Sequence, residues 1–250
     1  MNAHPDRRFR LSVMQLLPNV LTLAALCAGL TAIRMAVLEE FDRAAALILL
    51  AAVLDGLDGR LARRLRSVSA MGAELDSLCD FVNFGVAPVL VLHLWAYGGA
   101  GGLGWIAALV YAVACALRLA RFNIGSRDPV ALATPKTAFT GVPSPAGAML
   151  VLLPIFIANL IPGANVPGLA CALWMMVVAA LMVSRLPTPA FRPVRVRPDQ
   201  ARLLILTAVA LGASLLTYPW LTLVLLDFGY LLLLTLSWIR PRRTPARKDE

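Results

Sequence analysis

"LDGLDGRLAR", residues Leu54 to Arg63, is the stretch from which this chain is read. It sets two aspartates, two glycines and two arginines directly behind an apolar run, 44–54, that contains no polar residue. Carboxylates at the end of so greasy a segment are costly unless they have a task. The nature of the segment therefore comes first, and the task of its aspartates second.

The chain has 250 residues, of which 60% are hydrophobic and 15% charged, with a mean hydropathy of +0.77. Soluble domains hold about half apolar residues, so this composition predicts an integral membrane protein. Apolar runs fall near 18–37, 43–65, 72–97, 101–122, 145–162, 166–185, 201–218 and 220–239. A span needs about 20 mostly apolar residues. The expected fold is thus all-α: a polytopic membrane helix bundle of about eight transmembrane helices.

Charge orients the bundle. All but two of the 23 lysines and arginines lie before the first run, at or beyond the end of an even-numbered one, or in the tail. The exceptions, Arg34 and Arg43, flank the acidic "LEEFD" at 38–42. The intervening connections "AYGGAGGLG", "NLIPGANVPG" and "TYP" hold no lysine or arginine. By the positive-inside rule both termini are cytoplasmic and the span count is even. The same rule accounts for the net charge of +9, so nucleic acid is not an expected partner; the lipid bilayer is. Residues 1–16 read as a cytoplasmic segment, 17–239 as the transmembrane domain and 240–250 as a basic cytoplasmic tail. The first apolar run is longer than a signal-peptide core and is kept as a span. Trp95, Trp105, Trp220 and Trp238 stand near predicted helix ends, as interfacial anchors do. Trp174 is mid-helix and is expected to pack. Cys27, Cys79, Cys115 and Cys171 form no C-x-x-C pair, and His4 and His93 are isolated, so neither disulfides nor a zinc site is expected.

Four aspartates mark two successive helices. Asp55 and Asp58 are three apart and Asp76 and Asp80 four apart, so each pair shares a helix face. Gly59 and Ala62 continue the first face and Gly72 the second. Both faces approach across a hairpin near 64–71. Four carboxylates in one place repel one another, and divalent cations between them relieve that repulsion. An all-oxygen ligand set favours hard ions, Mg²⁺, Mn²⁺ or Ca²⁺. Two such ions can clamp a diphosphate and stabilise displacement at phosphorus. The small residues let a ligand approach the backbone, and Arg63, Arg64 and Arg66 bring positive charge to where phosphates would arrive. Intramembrane carboxylates alone would also admit a cation transporter, but the cluster lies at one face instead of along the membrane depth; Asp227, in the last run, is the residue that fits such a path better.

Written out, the segment is Asp55-x-x-Asp58-Gly59-x-x-Ala62-Arg63, eight residues, Gly72, three residues, Asp76, three residues, Asp80. At all eight fixed positions it resembles the signature of the CDP-alcohol phosphatidyltransferases, membrane enzymes that join a CDP-linked group to an alcohol and release CMP. The resemblance implies that Asp55, Asp58, Asp76 and Asp80 bind two metal ions. It implies that Asp80 serves as base toward the acceptor hydroxyl. It also implies that Asp55, Gly59, Ala62, Arg63 and Gly72 line the CDP site, and that the enzyme is a homodimer.

Three further stretches are similar to the membrane-integral phosphatidylserine synthases of that family. They are "LPNVLTLAALCAGL" (17–30), "LDSLCDFVNFGVAP" (75–88), and "RLARFN" (118–123) with "FTGVPSPAGA" (139–148). This likeness implies CDP-diacylglycerol and L-serine as substrates at the cytoplasmic face of the inner membrane. Glycerol 3-phosphate, inositol phosphate or choline is the alternative acceptor within the family. Arg118 and Arg121 are expected to close the fourth helix, either as membrane anchors or, with Asn123 and Lys136, as ligands of phosphate or of the serine carboxylate. Thr140 and Ser144 stand near the helix break at "PSP" and are candidate polar contacts. Asn83, one turn past Asp80, either reaches the acceptor or satisfies a neighbouring helix.

Overall fold

The computed structural model describes residues 13–65, 69–127, 139–184, 187–188 and 198–239. They form helices α1 (Val13–Val37), α2 (Phe41–Leu65), α3 (Ala70–Asp80), a π turn (Phe81–Val86), α4 (Ala87–Tyr97) and α5 (Gly102–Arg127). There follow α6 (Ser144–Leu160), α7 (Gly168–Val183), α8 (Pro198–Thr217) and α9 (Pro219–Ile239). Because α3, the π turn and α4 are one continuous rod, the described residues make eight helical rods, and the fold is all-helical. The one addition is a two-residue antiparallel ladder pairing Phe139 with Thr188 and Thr140 with Pro187.

Four rods are both long and apolar enough to cross a membrane: Leu17–Val37, Met71–Tyr97, Gly102–Gly125 and Pro219–Ile239. Helix α2 has the length, but its aspartates and arginines interrupt its apolar character. Helices α6, α7 and most of α8 are apolar but shorter. Two boundaries differ from expectation. Helix α1 begins by Val13, ahead of the apolar run, and α5 continues to Arg127. Arg118 and Arg121 therefore lie inside α5 and do not close it, because nothing between them and Arg127 breaks a helix.

The core is centred on the π turn, α4, α5, α6 and α7, where Phe84, Leu92, Tyr111, Leu150, Phe156 and Met182 are fully buried. Trp174 packs as expected, and its indole N–H donates to the Leu150 carbonyl at 2.6 Å. All four cysteines are free thiols. Helix α8 leans chiefly on α9 and leaves Leu203, Leu204, Ile205 and Leu206 exposed, a surface suited to lipid. At the α1–α2 turn Arg43, one of the two exceptional cations, pairs with Glu40 at 2.5 Å.

The arrangement that positions the site concerns α1, α2 and α3. Helix α1 packs along α2 and also against α3, whereas α2 and α3 barely touch each other. Their backbones stay apart, and it is their aspartate side chains that meet, with α1 packed against both helices. The expected hairpin is there, with α2 ending at Leu65 and α3 starting at Ala70; Arg66 lies outside the described residues.

Candidate active site

Local sequence sets each side of the site. On α3 the N-cap is Ser69, in extended conformation, whose hydroxyl accepts the Gly72 N–H at 3.0 Å. Such a cap satisfies one of the free donors of the first turn and is worth about 1 kcal/mol. With 1.5 Å of rise per residue, Asp80 stands about 15 Å along α3 from its start, and Asp55 about 15 Å back along α2 from its end. The two aspartates are thus at matched depth, and Asp58 and Asp76 are matched nearer the turn.

The carboxylates of Asp55, Asp76 and Asp80 converge, each offering an oxygen within 4.8 Å of the others. Three carboxylate oxygens at that separation fit a divalent cation. Asp58 stands apart from this trio. It is 3% exposed and accepts a hydrogen bond from the Thr22 hydroxyl of α1 at 2.6 Å. The same hydroxyl lies 3.0 Å from the Pro18 carbonyl, so its single proton has two acceptors and the nearer is the carboxylate. Thr22 lies in the quoted 17–30 stretch, but nothing in the sequence singled it out.

Next to the trio opens a cleft of about 400 Å³, lined from three helices: Pro18, Asn19 and Thr22 of α1, Asp58, Gly59, Ala62 and Arg63 of α2, and Gly72, Ala73 and Asp76 of α3. Ser69 and Phe122 complete the lining. All four small or basic signature positions, Gly59, Ala62, Arg63 and Gly72, therefore share one cavity. At Gly59 a methyl group would meet nothing within 4 Å, because the residue faces the open cleft. At Gly72 it would press on Asn19 Oδ1 at 3.1 Å and Ser69 Oγ at 3.0 Å. Arg63 also borders an outer groove of about 690 Å³, which is mostly apolar and lined by Leu21, Leu57, Arg60, Leu61 and Arg64.

Beyond Asp80 the helix widens into the π turn, a feature common at functional sites. Pro88 supplies part of the cause, since it has no N–H to give the Phe84 carbonyl four residues back. That carbonyl instead accepts the buried Tyr111 hydroxyl of α5 at 3.0 Å. Asn83, in the turn, is 1% exposed and faces α1, where its Oδ1 occupies the space that a Cβ on Gly29 would need. This Oδ1 has no hydrogen-bond partner.

The remaining candidates divide. Arg118 donates through Nη1 to the Ser144 hydroxyl at the first turn of α6, and lies within electrostatic reach of Asp80. Arg121 points elsewhere and binds the Val183 carbonyl at 3.1 Å, tying α5 to the end of α7. Asn123 exchanges hydrogen bonds with Ser77 of α3, at 2.9 and 3.2 Å, so it joins α5 to the helix that carries Asp76 and Asp80. Thr140 lies in the short ladder; Lys136 lies outside the described residues. Asp227 is buried in α9 and its Oδ2 has no partner.

An all-helical chain with these converging carboxylates and the adjoining cleft belongs to a known class. The CDP-alcohol phosphatidyltransferase family pattern matches residues 15–185, and the chain belongs to that family. Among curated relatives, CDP-diacylglycerol–serine O-phosphatidyltransferase of Mycobacterium tuberculosis (strain H37Rv) is 38% identical over 239 residues, which cover 95% of this chain and 82% of the relative. The enzymes of the same name from Helicobacter pylori (strain 26695) and Bacillus subtilis (strain 168) are 34% identical over 187 residues and 33% identical over 180 residues. Those alignments cover 73% and 72% of this chain, and 75% and 93% of the respective relatives.

Proposed function

We infer that this chain is a CDP-diacylglycerol–serine O-phosphatidyltransferase, transferring the phosphatidyl group to the hydroxyl of L-serine and releasing CMP. The observation that carries the reading is the convergence of Asp55, Asp76 and Asp80 beside a cleft lined by Gly59, Ala62, Arg63 and Gly72. The names of relatives from several bacterial genera support serine as the acceptor.

Asp55, Asp76 and Asp80 would hold divalent cation, with Asp58 at their flank completing a set for two, Mg²⁺ or Mn²⁺ by the hardness of the oxygens. When bound, such ions neutralise the diphosphate and the departing CMP. The residues do the rest. Gly59 and Gly72 leave room for the nucleotide, and Arg63 meets its phosphates. The apolar groove outside Arg63 suits the acyl chains of a lipid that reaches the site from the bilayer. Asp80 takes the proton of the serine hydroxyl as that oxygen bonds to the phosphorus carrying diacylglycerol. The bond from this phosphorus to CMP then breaks, and CMP leaves. Thr22 holds Asp58 in place, and the Arg118–Ser144 pair receives the acceptor beyond Asp80.

The chemistry takes place at the cytoplasmic face of the inner membrane, in a domain of eight spans over 17–239, with both termini and the 240–250 tail cytoplasmic. The lysine and arginine distribution supports that orientation. The functional unit is a homodimer, as the family resemblance implies.

The test uses purified protein with CDP-diacylglycerol, Mg²⁺ or Mn²⁺, and a panel of alcohols. CMP release is expected chiefly with L-serine. Release with glycerol 3-phosphate or inositol phosphate, and none with serine, would overturn the acceptor while sparing the family.

A further inference from the structure

The family pattern ends at residue 185, which leaves α9 without an assigned task. Yet α9 packs against α6, the helix whose first residue, Ser144, holds Arg118. That packing turns Tyr230 inward. The Tyr230 hydroxyl is buried and has no hydrogen-bond partner. It lies within electrostatic reach of Arg118, whose Nε is likewise buried and unpartnered. Arg118 in turn is within reach of Asp80.

Two buried donors left without acceptors, within electrostatic reach of each other, are expensive: each costs about 1–3 kcal/mol, and a charged one more. Proteins rarely leave such groups without a reason. Both groups can donate, and a guanidinium together with a phenol can satisfy a planar anion with two acceptor oxygens. Asp80, also within electrostatic reach of Arg118, is the group that would take the acceptor's hydroxyl proton. An acceptor that carries a carboxylate close to its hydroxyl offers an anion to the first two groups and a proton to the third.

Resting on the reading of the chain as a serine transferase, we propose that Tyr230 of α9 is a carboxylate-recognising residue of the acceptor site. Its hydroxyl and the Arg118 Nε–H donate to the carboxylate of L-serine, and the last helix closes the acceptor chamber. Selection of an amino acid over a simple amino alcohol is then a property of α9, outside the segment that the family pattern covers.

Tyr230→Phe tests this in the full-length protein, with CMP release measured against L-serine and against L-serine methyl ester, which lacks the carboxylate. The KM for L-serine should rise about 10- to 100-fold, as for loss of a hydrogen bond to a charged group. The KM for CDP-diacylglycerol should stay as in the parent. The preference for serine over its methyl ester should shrink by the same factor. Because the lost hydroxyl has no partner within the protein, the melting temperature without serine should be unchanged or higher. An unchanged KM for serine, an unchanged serine-to-ester preference, or a lowered melting temperature would each overturn the proposal. So would a parallel rise of both KM values or a variant that fails to fold. Parent protein that releases CMP with other alcohols but not with serine would instead mark failure of the functional reading itself.

Discussion

The Thr22 hydroxyl of α1 donates to the Asp58 carboxylate of α2 at 2.6 Å, anchoring the signature's most buried aspartate to a helix outside the signature. Asp58 is thereby held at the flank of the trio formed by Asp55, Asp76 and Asp80 and lines the cleft. Partners that orient metal-site carboxylates commonly govern metal affinity by 10- to 100-fold. Thr22→Val, which keeps the shape and removes the donor, should therefore raise the Mg²⁺ or Mn²⁺ concentration for half-maximal CMP release by about tenfold or more. Thr22→Ser should restore most of the affinity. Metal titration of both variants checks this; an unchanged metal requirement in Thr22→Val would contradict it.

Asp80 carries two assignments, metal ligand and base. Asp80→Asn keeps the size of the side chain but removes its charge and basicity, so turnover should fall by about 10²–10⁴-fold, the usual contribution of a general base. CMP should still bind, since the cleft is lined by other residues. Chelation of the parent protein with EDTA should abolish CMP release, and added Mg²⁺ or Mn²⁺ should restore it. Full activity in Asp80→Asn would remove Asp80 from both roles.

Gly56 and Gly59 make a matched pair on α2. Neither has an atom within 4 Å of where a Cβ would stand, but only Gly59 lines the cleft. Gly59→Val should raise the KM for CDP-diacylglycerol at least tenfold without changing the KM for serine. Gly56→Ala should leave both constants unaltered and stabilise α2 by about 0.5–1 kcal/mol, since it removes a mid-helix glycine. Steady-state kinetics and thermal unfolding in detergent separate the two outcomes.

Gly29 is required by a neighbour. A Cβ there would sit 2.1 Å from Asn83 Oδ1 and 3.3 Å from the Asn83 Cα, so α1 would have to move away from the π turn or Asn83 would have to rotate. Gly29→Ala should destabilise the protein by about 1–3 kcal/mol, as overpacked sites do. It should also lower kcat, because Asn83 follows Asp80 by three residues. A melting temperature equal to the parent's would show that the contact yields without cost.

Much of this site could be read from spacing. Intervals of three and four residues place Asp55 with Asp58 and Asp76 with Asp80 on shared faces whatever the surroundings, because the helical repeat is fixed by the backbone. The apolar runs likewise forecast the eight helical rods, since hydropathy over about 20 residues is a local property. What could not be read depends on groups distant in sequence. Thr22 is one threonine among many until α1 is laid against α2. Ser77 joins Asn123 only because α3 and α5 are adjacent. The length of α5 was also underestimated: polar "RFNIGSR" looks like a loop by hydropathy but continues as helix to Arg127.

By itself, then, the sequence determined the all-helical class and the apolar character of its spans, which follow from local periodicity and composition, and it displayed the eight signature residues whose resemblance pointed to the family. Only the tertiary structure decided that α1 packs against both α2 and α3, that three carboxylates of α2 and α3 converge, and that Asp58 accepts from Thr22. It alone decided, too, that Tyr230 of the last helix is brought within electrostatic reach of Arg118. These relations come from packing, where the shape and burial of one helix fix which face of another turns inward, and no spacing within a single helix records that choice.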